Sequence, residues 1–123
     1  MDTVAILGAS SDRNKYGNKS VRAHLRAGYK VYPINPKETE VEGVKAYPSL
    51  AALPEKVHRI SVYLPPPVAL KMLLQIAAAD AAEVFFNPGS ADDAVFAEAQ
   101  RLGINAINAC SIVDLGARPA EFP

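Results

Sequence analysis

Thr3-Val4-Ala5-Ile6-Leu7 runs directly into Gly8-Ala9-Ser10-Ser11, and the chain then passes Arg13, Lys15, Tyr16 and Gly17 before a helical stretch from Asn18. Five apolar residues of strand character, a glycine, a short polar loop and a helix start are the parts of a strand-turn-helix that can hold a diphosphate. Backbone N–H groups and the positive end of a helix attract anions, and Ser10, Arg13 and Lys15 add donors. The pattern departs from a strict G-x-G-x-x-G, because Ser10 stands at the second glycine position and the loop is longer. The next strand, Tyr29 to Pro33, ends in Ile34-Asn35-Pro36-Lys37. In a dinucleotide-binding unit an acid about 20 residues past the fingerprint pairs with the ribose hydroxyls. Counting from Gly17, that position is Lys37. A cation there suits a phosphorylated ribose and leaves a free ribose diol without its usual acceptor.

The rest of the chain repeats the alternation. A first helix is expected from about Asn18 to Ala27, with Val21 and Leu25 inward and Gly28 as a left-handed cap. Glu38 to Ala46 reads as a polar loop with a short extended piece near Val44. Ser49 is placed to cap a brief helix that Pro54 stops. Ile60 to Leu64 is the third strand, and Pro65-Pro66-Pro67 opens a helix with Leu70, Leu73, Leu74 and Ala77 at core spacing. Val84-Phe85-Phe86 is the fourth strand, followed by the turn Asn87-Pro88-Gly89-Ser90. Asp92 and Asp93 start a helix, Val95, Ala99 and Leu102 line its inner side, and Gly103 closes it. Ile104 to Ile107 is the fifth strand, and Arg118 to Pro123 reads as loose surface chain. The pattern predicts one α/β domain over residues 1–123: a Rossmann-like, doubly wound, five-stranded parallel sheet with helices on both faces. Ligands of such sheets sit at the carboxyl ends of the strands.

Composition bounds the function. With 123 residues the chain is one domain, 50% hydrophobic and 21% charged, as in ordinary soluble globules. Thirteen basic and thirteen acidic side chains cancel, so no general field favours nucleic acid or an anionic membrane. No apolar stretch is long enough to cross a membrane, and Met1-Asp2 leads into a strand with no signal peptide; the expected location is cytoplasmic. A single cysteine, Cys110, excludes an internal disulfide framework and a cysteine-rich metal site. His24 and His58 have no partners at metal or nucleophile spacing, and Asp92-Asp93 reads as a helix start. No catalytic or metal-ligating set is expected. Cys110 follows the fifth strand and is expected at the rim of the site, and the apolar Leu64-Pro65 suits a flat ring.

These residues resemble the stand-alone CoA-binding domain family, whose members look like the amino-terminal domain of the succinyl-CoA synthetase α subunit. The resemblance covers nearly the whole chain. It rests on Ile6-Leu7-Gly8-Ala9-Ser10, Tyr16-Gly17, Val31-Tyr32-Pro33-Ile34-Asn35-Pro36-Lys37, Val62-Tyr63-Leu64-Pro65-Pro66 and Asn108-Ala109-Cys110. It implies that the glycine loop holds the diphosphate of coenzyme A, that Lys37 lies near the adenosine phosphate, and that Leu64-Pro65 lines the nucleotide groove. Asn87-Pro88-Gly89 stands where relatives often carry a glutamine-containing turn. The phosphohistidine and grasp domains of a full synthetase are absent from these residues. The leading expectation is a nucleotide-binding module for CoA or an acyl-CoA, acting as sensor, carrier or thiol protector. The alternative is a small NADP-dependent reductase using Lys37 and Arg13 on the 2′-phosphate, disfavoured by the lack of a substrate domain, a proton donor and a Tyr-x-x-x-Lys pair.

Overall fold

The computed structural model describes residues 2–123. In chain order its elements are β1 (Thr3–Leu7), α1 (Tyr16–Arg26), β2 (Lys30–Ile34), β3 (Glu40–Val41), β4 (Val44–Lys45), a 3-10 turn (Leu50–Ala52), β5 (Arg59–Val62), α2 (Pro66–Ala79), β6 (Glu83–Phe86), α3 (Asp93–Arg101), β7 (Ala106–Asn108), α4 (Ser111–Asp114) and a second 3-10 turn (Pro119–Glu121). Five strands form one parallel sheet in the order β2-β1-β5-β6-β7.

Every residue of β1 is buried, as a central strand covered on both faces requires. Its side chains alternate between two cores. Val4 and Ile6 pack with Val21 of α1 and Val31, whereas Ala5 and Leu7 pack with Leu73, Phe86 and Val95 on the face of α2 and α3. Helices therefore cover both faces. The chain leaves β1 toward one face and β5 toward the other, and these strands are neighbours, so the switch point lies between them. Pro33 is tolerated because β2 is an edge strand; its carbonyl still accepts from Tyr47 N–H at 2.9 Å.

Four expectations are corrected. Leu25 is 36% exposed, and His24 takes the inner position of α1 instead, because Tyr29 offers its ring an edge-to-face contact at 5.0 Å and Arg59 approaches it at 3.3 Å. On α2 the buried residues are Ala69, Leu73 and Ile76, while Leu70 and Leu74 face outward at 42% and 72% exposure. The helix is apolar almost all round, so periodicity does not set its phase. The segment around Val44 is a hairpin: β3 and β4 pair antiparallel through Glu42 and Gly43, both at positive φ, the signature of a type I′ turn.

The tail is not loose. Phe122 is buried against Ala23, Ile112 and Ala117, with the Arg26 guanidinium 4.4 Å from its ring centre. The Phe122 and Pro123 carbonyls accept from Arg22. Strand ends shift by a few residues: the third main strand stops at Val62, one last bond to β1 follows from Tyr63 N–H to Leu7 O at 2.8 Å, and the prolines beyond cannot donate. Asp92 caps α3 by accepting from Val95 N–H at 3.0 Å, and His58 pairs with Glu83 at 2.9 Å, so both expected structural residues are structural. Among the described residues no helix is long and apolar enough to cross a membrane.

Candidate functional site

A crevice of about 910 Å³ opens at the carboxyl ends of β1, β2 and β5, at the switch point. One wall is the glycine loop and the start of α1: Gly8, Ala9, Ser10, Lys15, Tyr16 and Gly17. Backbone contact makes this wall possible. Gly8 has φ +94°, and a Cβ on it would stand 2.3 Å from the Tyr63 carbonyl oxygen. A Cβ on Gly17 would stand 2.3 Å from Gly8 O. Both glycines are therefore required by the close approach of loop, helix and β5.

The loop is held from behind and open in front. Asn18 is fully buried and donates to Ser10 O at 2.9 Å; Asn35 donates to Ala9 O at 2.9 Å. Asp12 N–H bonds Ser10 Oγ at 3.0 Å, which leaves the hydroxyl proton free to donate. No side chain caps the start of α1, and its first turn carries no acid. The first N–H groups of an eleven-residue helix thus face the crevice unpaired by the helix itself, with Lys15 beside them. Backbone geometry of this kind suits an anion.

The remaining walls are mostly apolar. Ile34, Asn35 and Pro36 follow β2; Tyr63, Leu64, Pro65 and Pro66 follow β5; Pro88, Gly89 and Ser90 follow β6. The floor beneath them is a buried polar network. Ser111 Oγ bonds Ser61 Oγ at 2.7 Å and Tyr63 OH at 3.1 Å, and Asn87 joins Ser61 Oγ to the Ser111 N–H. Burial raises the Tyr63 pKa, so its hydroxyl stays a neutral donor.

Ten of the thirteen expected contact residues meet here: Gly8, Ala9, Ser10, Lys15, Tyr16, Gly17, Asn35, Pro36, Leu64 and Pro65. Three do not line the crevice. Arg13 turns to the outside of the loop, where its Nε lies 3.6 Å from Glu42. Lys37 is exposed, one residue beyond the lining Pro36. Cys110 is half-buried against the cluster of Ala23, Ile112, Ala117 and Phe122 and does not line the crevice. The structure also adds Val68, Met72 and Gln75 of α2 and the Pro48-Ser49 corner. The α2 residues escape a sequence reading because they depend on the phase of that helix. Pro48 and Ser49 arrive because Tyr47 bridges to Ile34 at the sheet edge, a pairing with no local signal.

The crevice thus joins a glycine cradle, an uncapped helix start, a cation and largely apolar walls. Residues 2–116 match the family described as the CoA binding domain. The chain is 38% identical over 74 residues to the ADP-forming acetate–CoA ligase II subunit alpha of Pyrococcus furiosus, a stretch that is 58% of this chain and 16% of that relative. The chain thus spans a small part of the curated ligases it matches. A solved structure of a conserved hypothetical protein from Pyrococcus furiosus superposes with a TM-score of 0.85 at 30% identity, covering 93% of this chain and 99% of that one. A dinucleotide-forming acetyl-coenzyme A synthetase 1 from Ca. Korarchaeum cryptofilum superposes with a TM-score of 0.76 at 26% identity over 88% of this chain and 25% of its own.

Proposed function

We propose that this chain, which belongs to the CoA-binding domain family and is related to domains of acyl-CoA synthetases, uses its crevice to hold coenzyme A or an acyl-CoA as a non-catalytic binding module. Residues 1–123 act as one such domain. The observation that carries the reading is the uncapped start of α1 facing a loop where Gly8 meets the Tyr63 backbone.

In this reading Gly8, Ala9 and Ser10, with Lys15, Tyr16 and Gly17, receive the diphosphate. Asn35 and Pro36 flank the adenosine, Leu64 and Pro65 line the nucleotide groove, and Lys37 reaches the 3′-phosphate from outside the rim. Arg13 and Cys110 need no contact with the ligand. A module of this kind serves as sensor or carrier, since the groove supplies shape and fixed donors and the buried Tyr63–Ser111–Asn87 network is fully occupied with holding the floor.

Thermal unfolding with added ligand tests it. A ligand that binds only the folded state adds about 2.7 kcal/mol at a hundredfold excess over its Kd. CoA and acetyl-CoA raise the Tm, and NAD and NADP leave it in place. Equal shifts from all four, or no shift from CoA at millimolar concentration, would overturn the reading.

A further inference from the structure

Asn35 ends the crevice where β2 stops, and its Oδ1 accepts from two backbone N–H groups in succession, Lys37 at 2.8 Å and Glu38 at 3.1 Å. This Asx turn fixes which way the next side chains go. Lys37 goes to solvent. Glu38 is half-buried and turns toward the glycine loop, where its carboxylate accepts from the Ser11 N–H at 2.8 Å and from the Ser11 hydroxyl. The Asn35 amide lies 3.5 Å from the same carboxylate. Glu38 therefore occupies two donors of the loop at its junction with the end of β2.

We infer that Glu38 is a specificity-determining residue that sets the discrimination between adenosine ligands with and without a phosphate on the ribose. The inference rests on the CoA reading above. At the end of the second strand of such folds, an acid accepts from ribose hydroxyls and a cation receives a ribose phosphate. This chain carries both in succession. A carboxylate accepts from a hydroxyl, but a phosphate monoester carries about −1.5 to −2 charges near pH 7. Beside Glu38 such a group meets repulsion. Lys37 attracts the phosphate and Glu38 opposes it, so the two adjacent charges offset one another.

Calorimetric titration of the whole chain with CoA and with dephospho-CoA measures this balance. Glu38→Gln raises the ratio of CoA to dephospho-CoA affinity about tenfold, which corresponds to 1.4 kcal/mol, and Glu38→Ala shifts it the same way. The gain shrinks at high salt, as a charge effect must. Lys37→Ala lowers the ratio. Binding of both ligands at a ratio that neither Glu38 variant moves, with circular dichroism unchanged, overturns this inference alone. If neither ligand binds the wild-type chain, the CoA reading falls and this inference falls with it.

Discussion

The Gly8 main chain lies so close to that of Tyr63 that a Cβ on Gly8 would stand 2.3 Å from the Tyr63 carbonyl oxygen. This contact joins the two strands that flank the switch point and shapes the wall on which an anion would rest. Gly8→Ala adds two costs: a left-handed φ, about 1–2 kcal/mol for a non-glycine residue, and a backbone clash that only a shift of β5 can relieve. Gly28 also has positive φ, but a Cβ there would meet nothing within 4 Å. Denaturant unfolding should therefore show Gly8→Ala losing clearly more stability than Gly28→Ala, whose loss stays at the backbone cost of about 1–2 kcal/mol. Equal losses would mean that the loop and β5 are not in contact.

Stability should fall in mild acid because of His24. Its side chain is fully buried, Nδ1 donates to Ser20 O at 2.8 Å, and Nε2 faces the Arg59 guanidinium at 3.3 Å. Burial pushes its pKa down from 6.5 to about 4, against the Ser20 hydrogen bond and with the help of the Arg59 charge. The native state prefers the neutral ring, so this contribution is complete above pH 6.5 and is lost as pH falls toward 4. At roughly 1.4 kcal/mol per unit, the loss is about 3 kcal/mol. Urea midpoints measured between pH 7 and pH 4 should drop further in the wild-type chain than in His24→Gln. Parallel pH profiles would place the acid sensitivity elsewhere.

Phe122→Ala should destabilise the fold by about 3–5 kcal/mol, the range for removing a buried aromatic ring. The ring fills the pocket between Ala23, Ile112 and Ala117, and Arg22 binds the carbonyls of Phe122 and Pro123 while also holding Arg13 O and Asn18 Oδ1. A loss of unfolding free energy below about 0.5 kcal/mol would show that the tail only rests on α1.

The strand, glycine loop and first helix are legible from Thr3 to Ala27 because burial on both faces makes Val4 to Leu7 apolar without a break and the glycines fall where the chain must turn. The parallel sheet with helices on both faces follows from the same alternation. What sequence could not resolve depends on choices between neighbours. Leu70 and Leu74 share α2 with Ala69 and Ile76, all apolar, and the sheet selects the small Ala69 for close approach. Lys37 stands at the expected separation from the loop, yet the Asx turn at Asn35 sends Glu38 inward instead. Phe122 is one apolar residue in a short polar tail, too little for any period, and its pocket is made from residues of α1 and α4 distant in sequence.

Cys110 bears on redox chemistry with CoA. A cysteine facing the CoA arm could be trapped as a mixed disulfide by oxidised CoA, through attack of its thiolate on the disulfide and release of one CoA thiol. Cys110 is half-buried and does not line the crevice. Cys110 packs beside Ile112 and Phe122, and the residue after it, Ser111, is fully buried in the floor network under Tyr63. The native chain incubated with oxidised CoA should stay unmodified by intact mass over a time in which the urea-unfolded chain gains one CoA. Phe122→Ala, by opening the pocket beside the thiol, should speed the reaction in the folded state, and Cys110→Ser should abolish it in both. A rapid adduct on the native wild-type chain, slowed by an excess of acetyl-CoA, whose thiol is blocked, would instead place the Cys110 thiol within reach of the bound ligand.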